Sequence, residues 1–146
     1  LLLTGQAGTG KTFLSNCIAA ALLEQCYSVL YLSAPQLFDI LAKQAFERRE
    51  EMVPEEAGQV YTCDLLIIDD LGTEYINSFV GSALFQLLNA RISLRRGTVI
   101  STNLSPLEIG RIYSDRISSR IMEHFILIRV FGEDIRVRKR IRGASV

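Results

Sequence analysis

An α/β fold, with a parallel sheet of five strands between helices, is the architecture this sequence predicts. Three observations predict it. Short apolar runs of strand length alternate with longer segments whose apolar residues recur at helical spacing. One run, Leu65-Leu66-Ile67-Ile68, is apolar at every position, as a strand covered on both faces must be. The glycine-rich segment Gly5-Gln6-Ala7-Gly8-Thr9-Gly10-Lys11-Thr12 falls between the first strand and the first helix. Ligands of parallel sheets bind there, beyond the carboxyl ends of the strands.

Residues 1–3 are an apolar run that reads as the end of the first strand. A helix starts near Lys11, with Phe13, Leu14, Cys17, Ile18, Ala21 and Leu22 as its apolar face. Residues 28–33 (SVLYLS) form the second strand. Ser33 or Ala34 opens a second helix, where Pro35 suits the first turn because its missing N–H has no partner there anyway. Leu37, Phe38, Leu41 and Ala45 line that helix, a charged stretch at 47–51 ends it, and 54–58 reads as a loop. Residues 65–68 are the third strand, ended by Asp69 and Asp70. Residues 77–96 form a long helix with Phe79, Leu84, Leu87, Leu88 and Ile92 on its inner side, stopped by Gly97. Residues 98–101 (TVIS) are the fourth strand, 106–113 and 115–123 two short helices, and 125–130 the last strand before Gly132 and a basic tail.

A chain of 146 residues is one domain by size. Its hydrophobic fraction of 49% fits a globular protein and argues against disorder. No apolar run approaches the roughly 18 residues of a membrane span, and a cytoplasmic location is expected. Cys17, Cys26 and Cys63 have no paired metal spacing and read as buried, reduced thiols. The chain opens without Met, inside a strand, and is expected to be a fragment. Charge is unevenly spread: residues 1–90 carry a net −7 and residues 91–146 a net +7. Such asymmetry points to an anionic partner or to a charge-complementary self-contact, unless the fold mixes the halves over its surface.

The segment 5–12 fits G-x-x-x-x-G-K-[ST], a P-loop. Glycines let backbone N–H groups turn inward onto phosphate oxygens, and the following helix aims its positive end at the same anion. Gly5 to Thr12, with Phe13, are the nucleotide-binding candidates. Lys11 is expected to reach the β- and γ-phosphates and the Thr12 hydroxyl to ligate Mg²⁺. Four apolar residues followed by two acids form a Walker B pattern. Asp69 is the second Mg²⁺ candidate, and Asp70 is the candidate to polarise the attacking water. Many ATPases have Glu at that position, so hydrolysis with the shorter Asp is expected to be slow. Asn103, just past the fourth strand, either orients that water or caps a turn. Arg116 and Arg120 are four apart and share a helix face. An arginine delivered to a neighbour's γ-phosphate stabilises transition-state charge, and Arg136 is a candidate for phosphate contact within one subunit. From the residues alone, the stronger reading of each of the three is a surface arginine paired with an acid.

Taken together, GQAGTGKT, LLIIDDLGTE, STNLS, YSDRISSRI and FGEDIR, in this order, resemble the AAA+ ATPases of the DnaC/DnaI helicase-loader group, with the IstB-like transposase helpers close by. The resemblance covers nearly the whole chain, 1–146, and implies a P-loop NTPase of the AAA+ class without a helical lid domain. It makes Gly5 to Thr12 Walker A, Asp69-Asp70 Walker B, Asn103 sensor 1, Arg120 (then Arg116) the finger acting in trans, and Arg136 sensor 2. It further implies ATP and Mg²⁺ as cofactors and ADP as product. The implied partners are single-stranded DNA, a replicative DNA helicase, and head-to-tail copies of the chain itself. The helicase-binding N-terminal region of such loaders is absent from these residues. An extra helix in this group lines a DNA path, and 35–49 occupies that slot with Lys43, Arg48 and Arg49. Three rivals stand beside the loader: a transposase helper acting on duplex DNA, a P-loop small-molecule kinase, and a nucleotide-gated adaptor that binds ATP and DNA but barely hydrolyses, a reading that Asp70 in place of Glu supports.

Overall fold

The computed structural model describes residues 1–46, 55–132 and 134. Five strands, β1 (Leu2–Thr4), β2 (Val29–Ser33), β3 (Leu65–Leu71), β4 (Gly97–Thr102) and β5 (Leu127–Arg129), form one sheet in the order β2-β3-β4-β1-β5. Every pairing is parallel. Six helices connect them: α1 (Lys11–Leu23), α2 (Ala34–Phe46), α3 (Glu55–Thr62), α4 (Ser78–Ser93), α5 (Pro106–Ile112) and α6 (Asp115–His124). The chain leaves β1 in mid-sheet and resumes at the far edge in β2, so the P-loop sits at the switch point where an open parallel sheet has its crevice.

The two faces of the sheet differ. Leu2, Leu66, Ile68 and Ile100 point into the larger core with α2, α3, α4, α5 and α6, through residues such as Leu37, Val60, Leu84, Leu88, Ile109 and Ile117. Leu3, Leu65, Ile67 and Val99 point the other way, against Ala19 of α1 with Ile18 and Leu22 at the margin. Helices do cover both faces, but α1 covers its face alone among the described helices. The alternation along β3 is the period-2 signature of a strand buried on both sides.

Local chemistry explains the helix ends. Asn77 accepts from the N–H of Val80 at 2.9 Å and caps α4. Ser105 and Glu108 form a reciprocal capping box on α5, with Pro106 at the first position. Hydrogen bonds from Ser105 hold the Glu108 carboxyl below its usual range.

Four sequence expectations need correction. The inward stripe of α1 is Lys11, Ser15 and Ala19. Phe13 is 70% exposed, and Leu14, Cys17 and Ala21 are exposed too, because the helix turns Lys11 towards the sheet and its bulkier apolar residues away. Cys17 and Cys26 are exposed thiols, and only Cys63 is buried. The expected loop at 54–58 contains the start of α3, which docks by Val60. Gly97 does not stop α4: Leu94 closes that helix, and Gly97 begins β4, where a Cβ would lie 3.1 Å from the Asp64 carbonyl.

Candidate functional site

The loop 5–10 joins β1 to α1 and carries three positive φ angles, 150° at Gly5, 77° at Gly8 and 101° at Gly10. A side chain at Gly5 would place its Cβ 2.2 Å from the carbonyl oxygen of Val130. One at Gly8 would run into the carboxylate of Asp134, which lies against the loop. Gly10 is the N-cap of α1 in left-handed conformation, with no side-chain cap and no acid in the first turn. The positive end of the helix therefore has no cap from its own first turn. These features fit a phosphate-bearing ligand: a backbone cradle that tolerates no Cβ, and a helix N-terminus against which an anionic group, the Asp134 carboxylate, already lies.

Lys11 is only 5% exposed. Its ammonium donates to the carbonyls of Gly5 and Gln6 at 2.8 Å each, and to Oδ1 of Asn103 at 2.7 Å. Two candidates 92 residues apart in sequence thus meet directly. Thr9 braces the loop by donating to the carbonyl of Gln6 at 2.9 Å.

A second group surrounds Asp69, which is 7% exposed. Its Oδ1 accepts from the hydroxyl of Thr12 at 3.3 Å and from that of Ser101, and its Oδ2 accepts from Tyr31 at 2.9 Å. Burial first, and then the bond to Asp69, pushes the Tyr31 hydroxyl well above the usual phenol range, so it stays a donor. Hydroxyl and carboxylate oxygens are the donors Mg²⁺ prefers, so Thr12 and Asp69 are chemically fit to hold one beside bound phosphates.

Asp70 owes its position to an irregularity. Ile68 pairs with Ile100 and Leu71 with Thr102, so Asp69 and Asp70 together stand opposite Ser101 alone. This is a β-bulge. Asp70 takes a left-handed conformation, φ 55°, which Asp tolerates better than most residues. Its N–H donates to Ser101 Oγ at 2.9 Å, and its side chain is exposed at the edge of the site. Asp69 and Asp70 thus lie within β3, rather than just after it.

The arginine candidates stand apart from this group. Arg116 and Arg120 lie on α6 and line a groove of about 490 Å³ with Phe85, Asp115, Ser119 and Glu123. Arg120 pairs with Glu123 at 3.6 Å, not with any residue of the P-loop group. Lys43 is exposed in the last turn of α2. Arg48, Arg49 and Arg136 lie outside the described residues.

Tyr31 and Ser101 were not singled out from sequence. Ser101 carried a signal, since it precedes Asn103 by two residues at the end of a strand. Tyr31 carried none without the register: it pairs with Ile67, while Ser33 pairs with Asp69, so its ring reaches a diagonal neighbour.

Comparison with known proteins agrees with this geometry. The model of the family described as IstB-like ATP binding protein matches residues 1–143. The replicative helicase loader DnaI of Bacillus subtilis is 31% identical over 93% of this chain and 47% of its own length. A putative insertion sequence ATP-binding protein of Sinorhizobium fredii is also 31% identical, over 98% of this chain and 50% of its own. The chain therefore spans about half the length of these relatives. A solved structure of DnaI, 25% identical, superposes with a TM-score of 0.74 over 91% of this chain and 70% of that one. With its P-loop and five-stranded parallel sheet of the AAA+ kind, the chain belongs to the family of IstB-like ATP-binding proteins, whose members here include both helicase loaders and insertion-sequence ATP-binding proteins.

Proposed function

We propose that residues 1–146 act as one AAA+ ATPase module of a bacterial replication protein of the helicase-loader type, hydrolysing ATP with Mg²⁺ while engaging single-stranded DNA and a replicative helicase. The observation that supports the nucleotide part of this reading is the convergence of Lys11, Thr12, Asp69 and Asn103 at the carboxyl ends of β1, β3 and β4. The glycine loop and the N-terminus of α1 hold the phosphates. Thr12 and Asp69 hold Mg²⁺, which neutralises phosphate charge when bound. Lys11 exchanges its loop carbonyls for phosphate oxygens. Asp70, exposed at the mouth of the site, polarises the attacking water, and Asn103, released by Lys11, orients it. Arg120 leaves Glu123 to reach the γ-phosphate of a neighbouring copy, which implies head-to-tail assembly. Arg136 is assigned to phosphate in the same subunit, and Lys43, Arg48 and Arg49 to the DNA backbone.

The test is ATP hydrolysis by the protein alone, with single-stranded DNA and with duplex DNA. Stimulation by single strands, lost in Lys11→Ala, is the expected result. The equal similarity to an insertion sequence ATP-binding protein supplies the second reading, and stimulation by duplex alone would establish it. Binding of ATP with no hydrolysis under any condition would refute the ATPase assignment.

A further inference from the structure

Asp69 is a buried carboxylate whose described partners are all neutral hydroxyls: Thr12, Ser101 and Tyr31. No lysine or arginine among the described residues forms an ion pair with it. Burying an anion this way is costly unless something else supplies positive charge. The two oxygens are also held differently. Oδ1 takes the hydroxyls of Ser101, from β4, and Thr12, from α1, whereas Oδ2 takes only the Tyr31 hydroxyl, from β2 on the opposite flank of β3. Rotation about the Cβ–Cγ bond, a soft torsion in aspartate, is resisted by the bonds to both oxygens, and Tyr31 is the one described contact that holds the Oδ2 side.

We infer that Tyr31 is a positioning residue of the site: its hydroxyl anchors Oδ2 of Asp69 so that Oδ1 stays turned towards Thr12 and the divalent cation that accompanies ATP. This rests on the Mg·ATP reading above. Groups that orient a metal ligand from behind are worth roughly 10- to 100-fold in metal affinity. An O–H to carboxylate bond is of the charge-assisted, stronger kind.

The experiment is equilibrium binding of a fluorescent ATP analogue, measured in EDTA and across a Mg²⁺ titration. Wild type, Tyr31→Phe, Asp69→Asn and the double variant are compared, with thermal midpoints recorded. Tyr31→Phe keeps the ring in place and removes only the donor. Its affinity in EDTA should stay within about twofold of wild type, while half-saturation by Mg²⁺ should rise roughly tenfold. In the Asp69→Asn background the same change should have no further effect. An unchanged Mg²⁺ titration, an equal loss in EDTA, or full additivity in the double variant would each overturn the inference while leaving the nucleotide site standing. Wild type that binds no analogue at all would instead refute the functional reading, and this inference with it.

Discussion

Replacing Arg91 by Met should cost this domain a fifth or more of its stability while leaving its nucleotide site intact. Arg91, in the last turn of α4, is 0% exposed. All five guanidinium N–H groups have a matching acceptor. Nε donates to Thr98 Oγ1 at 3.0 Å, Nη1 to the Val60 carbonyl at 2.8 Å and to Cys63 Sγ at 3.4 Å, and Nη2 to the carbonyls of Cys63 at 3.1 Å and Gly97 at 2.5 Å. Val60 and Cys63 lie at the C-terminal end of α3, where helix carbonyls lack internal partners and the dipole favours a cation. Burial lowers the guanidinium pKa from its ordinary value, but arginine still stays charged. Arg91→Met strands three carbonyls at about 1–3 kcal/mol each. Part of this is recovered because no charge need be buried. The net should be about 3–5 kcal/mol, the usual cost of breaking a buried charged network, against a total of about 5–15. At about 2–4 °C per kcal/mol for a chain of this size, the midpoint should fall by about 10 °C.

The assay is urea unfolding followed by circular dichroism, with amide exchange over 55–62 as the local readout. Arg91→Lys, with three donors on a flexible stem, should recover only part of the loss. Gly97 starts β4 and Asn103 follows its end, so the Arg91 network and the P-loop lie at opposite ends of the strands, roughly 20 Å apart at about 3.3 Å per strand residue. ATP affinity at low temperature should therefore be unchanged. A loss below about 0.5 kcal/mol, within the range of ordinary surface changes, with α3 protection unaltered, would refute the argument that this guanidinium caps α3.

Arg120→Ala should abolish hydrolysis and leave ATP binding unchanged; surviving turnover would rule out the trans assignment, and mixing with Lys11→Ala subunits, which supply an intact Arg120, should restore part of it. Asp70→Asn keeps a residue that tolerates the left-handed backbone and removes the charge, so hydrolysis should fall by roughly 10²-fold or more with stability and ATP affinity unmoved. If turnover persists, the base lies elsewhere. Asp64 is held below its ordinary value of 3.8, chiefly by hydrogen bonds from Ser28 and then by Arg96. Its stabilising contribution is thus full above that pH and is lost as pH falls through the lowered folded-state value. Asp64→Asn should flatten acid unfolding in that window, and an unaltered profile would count against it.

The parts of the site that proved legible are those where one short segment dictates both conformation and chemistry. The P-loop needs its glycines whatever surrounds it, so its place between β1 and α1 followed from spacing. The placement of Asn103, though not its role, was readable because it directly follows a strand of a parallel sheet, at the end where the P-loop also lies. What stayed hidden depends on registers between distant strands. Tyr31 looks like any strand aromatic until β2 is laid beside β3. The apolar face of α1 was misjudged because periodicity alone does not say which stripe faces inward: here a lysine and a serine are buried and a phenylalanine is not. α3 escaped notice because it anchors by few residues and owes its C-terminus to Arg91, a partner about thirty positions away.

The bulge in β3 shows why two adjacent acids can end a strand that is buried on both faces. In a regular strand, side chains alternate, so Leu66 and Ile68 enter the large core while Leu65, Ile67 and then Asp69 face α1. Asp69 therefore arrives on the side where Thr12 waits, with no distortion required. The same alternation would drive Asp70 into the large apolar core and turn Leu71 away from it, an arrangement that buries an unpaired charge. Setting Asp69 and Asp70 against the single residue Ser101 removes that conflict. The extra residue turns outward through a left-handed backbone, Asp70 reaches solvent, and Leu71 regains the large core at 2% exposure. Ser101 secures both halves of the arrangement, accepting the N–H of Asp70 and donating to Asp69. One inserted residue thus separates a buried carboxylate fit for a metal from an exposed one fit for water, and the packing of the core, as much as the chemistry of the site, demands that it be there.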